Sequence, residues 1–372
     1  MLRYYRIIAS AETMTMYSPQ KVSPLITTMS ILLSGSRSSA AAFATGSKGH
    51  TVAFSSAIRA RCFTSSTSAL FALQGNLVSV ADCLASHGDN GVKFIDGSWH
   101  LAADRDGRAE FEAGPRIAGA KFFDIDDISS KGELNKKGLP HMMPPPKLFA
   151  AAMDALDISN SDHLVVYGTD GCMFTARAYY SLRAMGHSSD HVHLMQGSLK
   201  EWHENGGEID TEPAKAVSAD ELDLSKETKY KAQDPANIVD MKAVLKVVNE
   251  DEADSIVVDA RGAARFHAEA PEPREGMRGG HMPGSFNVPF TELLDPDDPT
   301  KFKDVDSLKE AFAKGGVDIN TEKKIICSCG SGVTACVVAT ALEQCGRDAA
   351  GTYIYDGSWS EWGSEKDTPI VS

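Results

Sequence analysis

The 372-residue chain has no run of about 18 uninterrupted apolar residues, so no stretch can cross a bilayer as a helix. It has only seven cysteines, an odd number at irregular spacing, which excludes a disulfide framework and makes a reducing compartment the expectation. It lacks a Lys/Arg stripe and carries a formal net charge of −14, which argues against a nucleic-acid partner. Acids are almost missing from one region. Residues 1–70 hold seven basic side chains (Arg3, Arg6, Lys21, Arg37, Lys48, Arg59, Arg61) against the single acid Glu12, a net of +6 that leaves −20 for the remainder. That region is crowded with Ser and Thr and has no sustained amphipathic pattern, the signature of an organelle transit segment. Residues 1–72 are therefore expected to be a targeting extension, with the mitochondrion as favoured address. A plastid signal around Ala40-Ala41-Ala42-Phe43-Ala44, or a plain tail on a cytoplasmic protein, are the alternatives.

What is present is most informative near the C-terminal end. An apolar strand, Lys324-Ile325-Ile326, runs into Cys327-Ser328-Cys329-Gly330-Ser331-Gly332-Val333-Thr334, and a helix-like run from Ala335 follows. Successive N–H groups of such a loop form an anion nest, and the helix N-terminus adds partial positive charge. Both favour the thiolate, the reactive form of a cysteine. Cysteine phosphatases use a similar loop but need an Arg six residues on to clamp phosphate; Ala335 occupies that place.

The loop has a twin. Val166 to Ala176 matches Ile325 to Ala335, with Asp170 on Cys329, Gly171 on Gly330 and Thr175-Ala176 on Thr334-Ala335. Gly197-Ser198 and Glu201-Trp202 pair with Gly357-Ser358 and Glu361-Trp362, and Phe94-Ile95-Asp96 pairs with Val257-Val258-Asp259. Ile117 to Ala120 pairs with Met282 to Ser285. The offset stays near 160 residues, which marks a tandem duplication. Each copy alternates short apolar strands with helices, so an α/β fold with a parallel sheet covered by helices is expected in each half. The expected halves are residues 73–212 and 237–372, joined by a charged, alanine-rich linker at 213–236. Ligands of such sheets bind beyond the strand carboxyl ends, where the Cys329 loop lies. A carboxylate cannot carry sulfur, so the Asp170 half is expected to be non-catalytic and to wall the cleft.

Arg265 and Arg274, nine apart on a proline-containing stretch, are able to converge on one carboxylate with planar forks. Two solvated arginines balancing Glu269, Glu272 and Glu275 are the plainer explanation, and the spacing alone favours it. His187, His191, His193 and His203 follow a helix end and a strand rather than a metal-ligand spacing.

Taken with Glu272-Pro273-Arg274, Gly280-His281-Met282-Pro283-Gly284, Asn287-Val288-Pro289-Phe290 and Leu139-Pro140-His141-Met142-Met143-Pro144, the run from Cys329 to Cys336 resembles the two-domain rhodanese superfamily. It is most similar to that superfamily's 3-mercaptopyruvate branch over about residues 75–365. The resemblance implies two tandem rhodanese-like domains and a sulfurtransferase in which Cys329 takes sulfur from 3-mercaptopyruvate, expels pyruvate and holds a persulfide. A thiol acceptor such as thioredoxin or glutathione, or cyanide, then removes the sulfur. It implies that Arg265 and Arg274 bind the substrate carboxylate, that Ser331 helps deliver a proton, that Gly330, Gly332, Val333 and Thr334 shape the loop, and that no metal or other cofactor takes part. Gly330 and Ser331 bring no charge to the loop, which favours mercaptopyruvate over thiosulfate. Thiosulfate:cyanide transfer and a thiol-redox or persulfide-carrier role are the alternatives. One departure concerns proton relay: Arg116 stands where the family is expected to place a histidine, with Asp106 as candidate acid, so Arg116 is expected to add positive charge to the cleft. Cys327 is a candidate for a regulatory disulfide or a plain core residue.

Overall fold

The computed structural model describes residues 73–249 and 254–372. The expected targeting extension, residues 1–72, lies outside the described residues. The first half contains strands β1 (Leu77–Ser79), β2 (Val92–Asp96), β3 (Arg116–Ile117), β4 (Lys121–Phe122), β5 (His163–Gly168), β6 (Val192–Ser198) and β7 (Ile209–Asp210). Its helices are α1 (Val80–Ser86), α2 (Gly107–Ala113), α3 (Pro146–Ala155), α4 (Ala176–Ala184) and α5 (Leu199–Glu204). The second half follows with β8 (Ile238–Val239), α6 (Met241–Asn249), β9 (Ser255–Asp259), α7 (Ala263–Phe266), β10 (Phe286–Asn287), α8 (Val305–Lys314), β11 (Lys324–Ser328), α9 (Ala335–Gln344), β12 (Thr352–Tyr355) and α10 (Ser358–Trp362).

Each half forms one five-stranded sheet with every pairing parallel. The orders, β1-β6-β5-β2-β4 and β8-β12-β11-β9-β10, are the same topology twice. The central strands β5 and β11 are apolar runs buried along almost their whole length, as parallel strands with helices on both faces must be. The alternation in the sequence located β2, β5 and β6 and their counterparts, and the glycine turns before them marked the two-residue strands β4 and β10. It did not reveal the edge strands β1 and β8, which are two or three residues long and have no such marker. The antiparallel pair β3–β7 belongs to the first half alone among the described residues.

The stretch expected to be a linker lies against the first half. The backbone N–H groups of Lys229 and Tyr230 donate to the Asp154 carboxylate, Arg108 donates to the Val217 carbonyl, and the Tyr230 ring is buried.

Helix α9 is buried on every side from Ala335 to Leu342 because it lies between its own sheet and α4. One apolar cluster runs through this contact, from Leu182 and Tyr179 on α4 to Val337 and Val338 on α9. Ion pairs cross the same boundary, and two of them are largely buried: Arg183 with Glu343, with both contacts at 2.7 Å, and Arg177 with Asp356 at 2.8 Å. The two strand carboxyl ends therefore face each other across a fixed cleft.

Candidate active site

Strand β11 ends at Ser328, and the chain turns at once so that α9 begins at Ala335. The carbonyls of this turn are held on its outside. Cys329 O accepts from Trp359 N at 3.0 Å, and Gly330 O from Ser360 N at 2.8 Å and Ser360 Oγ at 2.6 Å. Gly332 O accepts from Arg177 Nη1 at 3.1 Å. In a trans peptide the C=O and the following N–H point in opposite directions. Carbonyls held outward thus turn the next N–H groups inward, which makes the anion nest expected of this sequence. Gly332 adopts φ +80, and a Cβ there would lie 2.9 Å from Asp356 O, so the position requires glycine.

Cys329 forms the floor of a cleft of about 490 Å³. The second half contributes Arg261, Arg265, Arg274, Ser331, Val333 and Thr334; the first contributes Trp99, His100, Leu101, Arg105, Met173 and Phe174. Gly330 lies on the same wall, and a Cβ on it would meet Arg265 Nη2 at 3.4 Å. Cys329, Ser331, Gly330, Val333, Thr334, Arg265 and Arg274 are thus gathered around one space.

The two arginines are not solvated surface residues. Arg274 Nη1 donates to Ser360 Oγ at 2.8 Å, and that hydroxyl holds the Gly330 carbonyl. Burial, with the Arg265 guanidinium beside it, pulls Arg274 down from its ordinary value, while Cys329, Asp126 and Glu272 act in the opposite direction. Two cations held together in this way favour an anion between them. Arg265 Nη2 lies 2.5 Å from Glu272 Oε2, and Glu272 Oε1 accepts from Arg261 Nη1 at 2.7 Å. Arg261 in turn grips Asp259 at 2.7 Å and lies 3.9 Å over the Trp359 ring. Glu272, with a side chain 1% exposed, is therefore a buried strut and not a surface acid. Neither Arg261 nor Glu272 stood out in the sequence as a site residue; the Glu-Pro-Arg motif was the available signal.

The opposite wall is electrically quiet. Arg105 gives Nε and Nη2 to Glu110 and Nη1 to Asp170 O. Burial, then the charge of Arg105, pulls His100 down and keeps it neutral. Asp170 does not point into a nest of its own: its carboxylate accepts from Lys200 N at 2.9 Å, at the start of α5.

The expectation for Arg116 is corrected. Its guanidinium stacks on Phe111 and donates to Phe111 O at 3.1 Å and Glu212 O at 2.8 Å, so it is spent on the fold and does not line the cleft. Asp106 caps α2 through Ala109 N and lies outside the cleft as well. A histidine–carboxylate pair occurs elsewhere. His141 Nδ1 lies 2.5 Å from Asp126 Oδ1, close but poorly aligned for a hydrogen bond. Trp99 Nε1 donates to the other Asp126 oxygen at 2.8 Å and stands edge-on to the imidazole at 4.9 Å. Burial raises Asp126, but the His141 and Trp99 contacts outweigh it and hold the carboxyl below its ordinary range. His141 lies in the Leu-Pro-His-Met turn, which had been noted only as a family signature.

The remaining thiols are packing groups. Burial pushes Cys336 up to about 12 and Cys327 further still, so both stay protonated in the core. His187 and His193 take protein partners: Tyr230 Oη and Asp162 O for the first, Gly75 O and His163 for the second.

A family profile described as the Rhodanese-like domain matches residues 79–205 and 241–365. The chain belongs to the rhodanese-like family. Among curated rhodanese-like relatives, the "3-mercaptopyruvate sulfurtransferase" of Escherichia coli (strain K12) is 38% identical over 294 residues, 78% of this chain and 96% of that one. An Arabidopsis thaliana protein named "Thiosulfate/3-mercaptopyruvate sulfurtransferase 1, mitochondrial" is 35% identical, covering 76% and 74% of the two chains. The crystal structure of Tum1 from Saccharomyces cerevisiae superposes with a TM-score of 0.67 at 29% identity, covering 80% of this chain and 97% of that one. That of SseA from Escherichia coli gives 0.61 at 35% identity, covering 77% and 99%.

Proposed function

We propose that the protein is a 3-mercaptopyruvate sulfurtransferase with a single active site on its second domain. The observation that carries the reading is the cleft itself: Arg265 and Arg274 flank a buried cysteine loop that has no charge of its own, opposite a neutral wall. A donor with one carboxylate and a sulfur two carbons further on suits this arrangement. The Cys329 thiolate attacks that sulfur and the S–C bond breaks. Its electron pair goes to the methylene carbon as the enolate of pyruvate, which takes a proton and leaves. The enzyme keeps Cys329–S–SH. An acceptor thiolate or cyanide then takes the outer sulfur and returns Cys329 as thiolate.

Ser331, 8% exposed and lining the cleft, is the proposed proton donor. The His141–Asp126 pair is the proposed source of its replacement proton, at a different place in the fold from the position where Arg116 replaces the histidine expected of the family. His141 Nε2 is buried without a protein partner, and its carbonyl shares the Arg177 guanidinium with Gly332.

The deciding experiment compares donors. Wild-type protein with 3-mercaptopyruvate is expected to form pyruvate and to gain the mass of one sulfur on Cys329; Cys329→Ser is expected to do neither. Retained transfer in Cys329→Ser sinks the proposal. Thiosulfate is the second donor to assay, because the Arabidopsis relative carries both names. Thioredoxin and glutathione are the proposed acceptors, to be ranked by kcat/KM. The basic, acid-poor residues 1–72 support a mitochondrial address, which a fluorescent fusion of that segment tests.

A further inference from the structure

We propose that Arg177, on a helix of the half without a nucleophile, is a positioning residue of the sulfur-carrying loop: by holding the Gly332 carbonyl outside the turn, it aims the loop's peptide N–H groups at Cys329. The inference rests on the reading of Cys329 as the sulfur carrier.

The carbonyls of Cys329 and Gly330 are held by α10, a neighbour from the same half. Gly332 O differs, since beyond the weak Cys336 thiol donor of its own helix at 3.4 Å it takes a charged partner from across the domain boundary. Gly332 is also the residue of the loop least able to hold its own peptide orientation, being a glycine at positive φ. If that peptide turned over, its oxygen would face the sulfur anion and the Val333 N–H would face away. Arg177 blocks the turn, and Arg177 is itself fixed. Nη2 donates to Asp356 Oδ1 at 2.8 Å and to His141 O, and Asp356 Oδ2 accepts from Met143 N at 2.7 Å. The pair is almost wholly buried, with side chains 2% and 3% exposed. A buried ion pair brings little net stability compared with apolar side chains of similar size, so retention for stability alone is a weak explanation. Beyond the bond within the pair, Nη1 instead meets the loop at Gly332 O, and Nη2 and Asp356 meet the turn that bears His141.

The other charged or titratable groups facing Cys329 are Arg261, Arg265 and Arg274, with Glu272 behind them, and Arg105 and the neutral His100 across the cleft. His141 and Asp126 lie behind Trp99, and Cys327 and Cys336 are protonated in the core. None of these is removed by changing Arg177.

The test is the rate of Cys329 alkylation by iodoacetamide across neutral and alkaline pH, on the full chain, with steady-state kinetics alongside. Arg177→Lys keeps the charge but loses the fork. Arg177→Met combined with Asp356→Leu removes the pair without stranding a charge. In either variant, labelling at neutral pH is expected to slow about tenfold and to converge with wild type at alkaline pH, in line with the pH dependence of thiolate reactivity. kcat falls while the donor KM holds, because Arg265 and Arg274 are untouched. Arg183→Met with Glu343→Met breaks a second inter-domain pair, one that does not touch the loop, and is expected to keep the wild-type profile. A folded Arg177 variant with the wild-type labelling profile overturns the proposal, and so does an equal change in the Arg183–Glu343 control. If Arg177→Lys does not fold, the double replacement decides. Alkylation needs no donor, so failure here is distinct from failure of the mercaptopyruvate assay, which tests the sulfurtransferase reading alone.

Discussion

Glu272 places one carboxylate oxygen 2.5 Å from Arg265 and the other 2.7 Å from Arg261, so one buried acid ties two cleft arginines together. An arginine held in this way meets an anion without losing rotamer freedom at the moment of binding. Glu272→Gln is expected to raise the KM for 3-mercaptopyruvate by about tenfold, roughly 1.4 kcal/mol, with a smaller effect on kcat. Unchanged KM in initial-rate assays would show that Arg265 needs no strut.

His141 and Arg116 give opposite expectations. His141→Gln is expected to lower kcat by about ten- to a hundredfold if the imidazole supplies protons through Ser331. Arg116→Met, which removes a side chain spent on the Phe111 and Glu212 carbonyls, is expected to lower the unfolding temperature and leave kcat/KM unchanged. Thermal melts and steady-state rates on the two variants separate these roles.

Gly332→Ala should be costly. The residue combines φ +80 with a Cβ position 2.9 Å from Asp356 O and 3.2 Å from Arg177 Nη1, so strain and clash coincide. A loss of about 1–3 kcal/mol of stability is expected, together with most of the activity. Gly119→Ala has a similar φ of +74 but nothing within 4 Å, and is expected to cost about 1 kcal/mol and leave turnover intact. Equal effects in calorimetry and turnover would mean that the loop tolerates the added methyl group.

Asp96 and its counterpart Asp259 end equivalent strands, yet only Asp259 has a cation, Arg261. Burial pushes Asp96 up to about 6, although Ser98 contacts act against it. Its folded value exceeds its unfolded one, so the folded state binds the extra proton between about pH 4 and pH 6. Stability therefore falls as pH rises through that window, by an amount on the order of 3 kcal/mol. Asp96→Asn is expected to flatten this dependence in urea unfolding measured at several pH values.

The sequence made the duplication legible because strand ends and loops keep an offset near 160 residues: Asp96 with Asp259, Asp170 with Cys329, Trp202 with Trp362. The nucleophile's loop was legible for the same reason, since a glycine turn between a strand and a helix needs no tertiary information. Arg261, Glu272 and Arg177 were not legible. Arg177 acts through Gly332, 155 residues away, while Arg261 and Glu272 have partners close in sequence, in a stretch of charged residues whose composition gives no sign of which ones pair or are buried. His141 was visible in its motif, yet its pairing with Asp126 depends on a turn and on Trp99 from another strand end. The linker between the halves looked free because its composition is polar; Asp154 and the buried Tyr230 ring tie it down.

Cys329 is only 2% exposed, and the halves around it are bolted by Arg177–Asp356 and Arg183–Glu343. Such a cleft does not open like a jaw, so reach becomes the governing dimension of the second half-reaction. In the proposed persulfide the reactive atom would lie about 2 Å beyond the cysteine sulfur, the length of an S–S bond. For a protein acceptor of the kind proposed, a thiol on a narrow, projecting tip would fit past the exposed Leu101 side chain where one on a flat face would not.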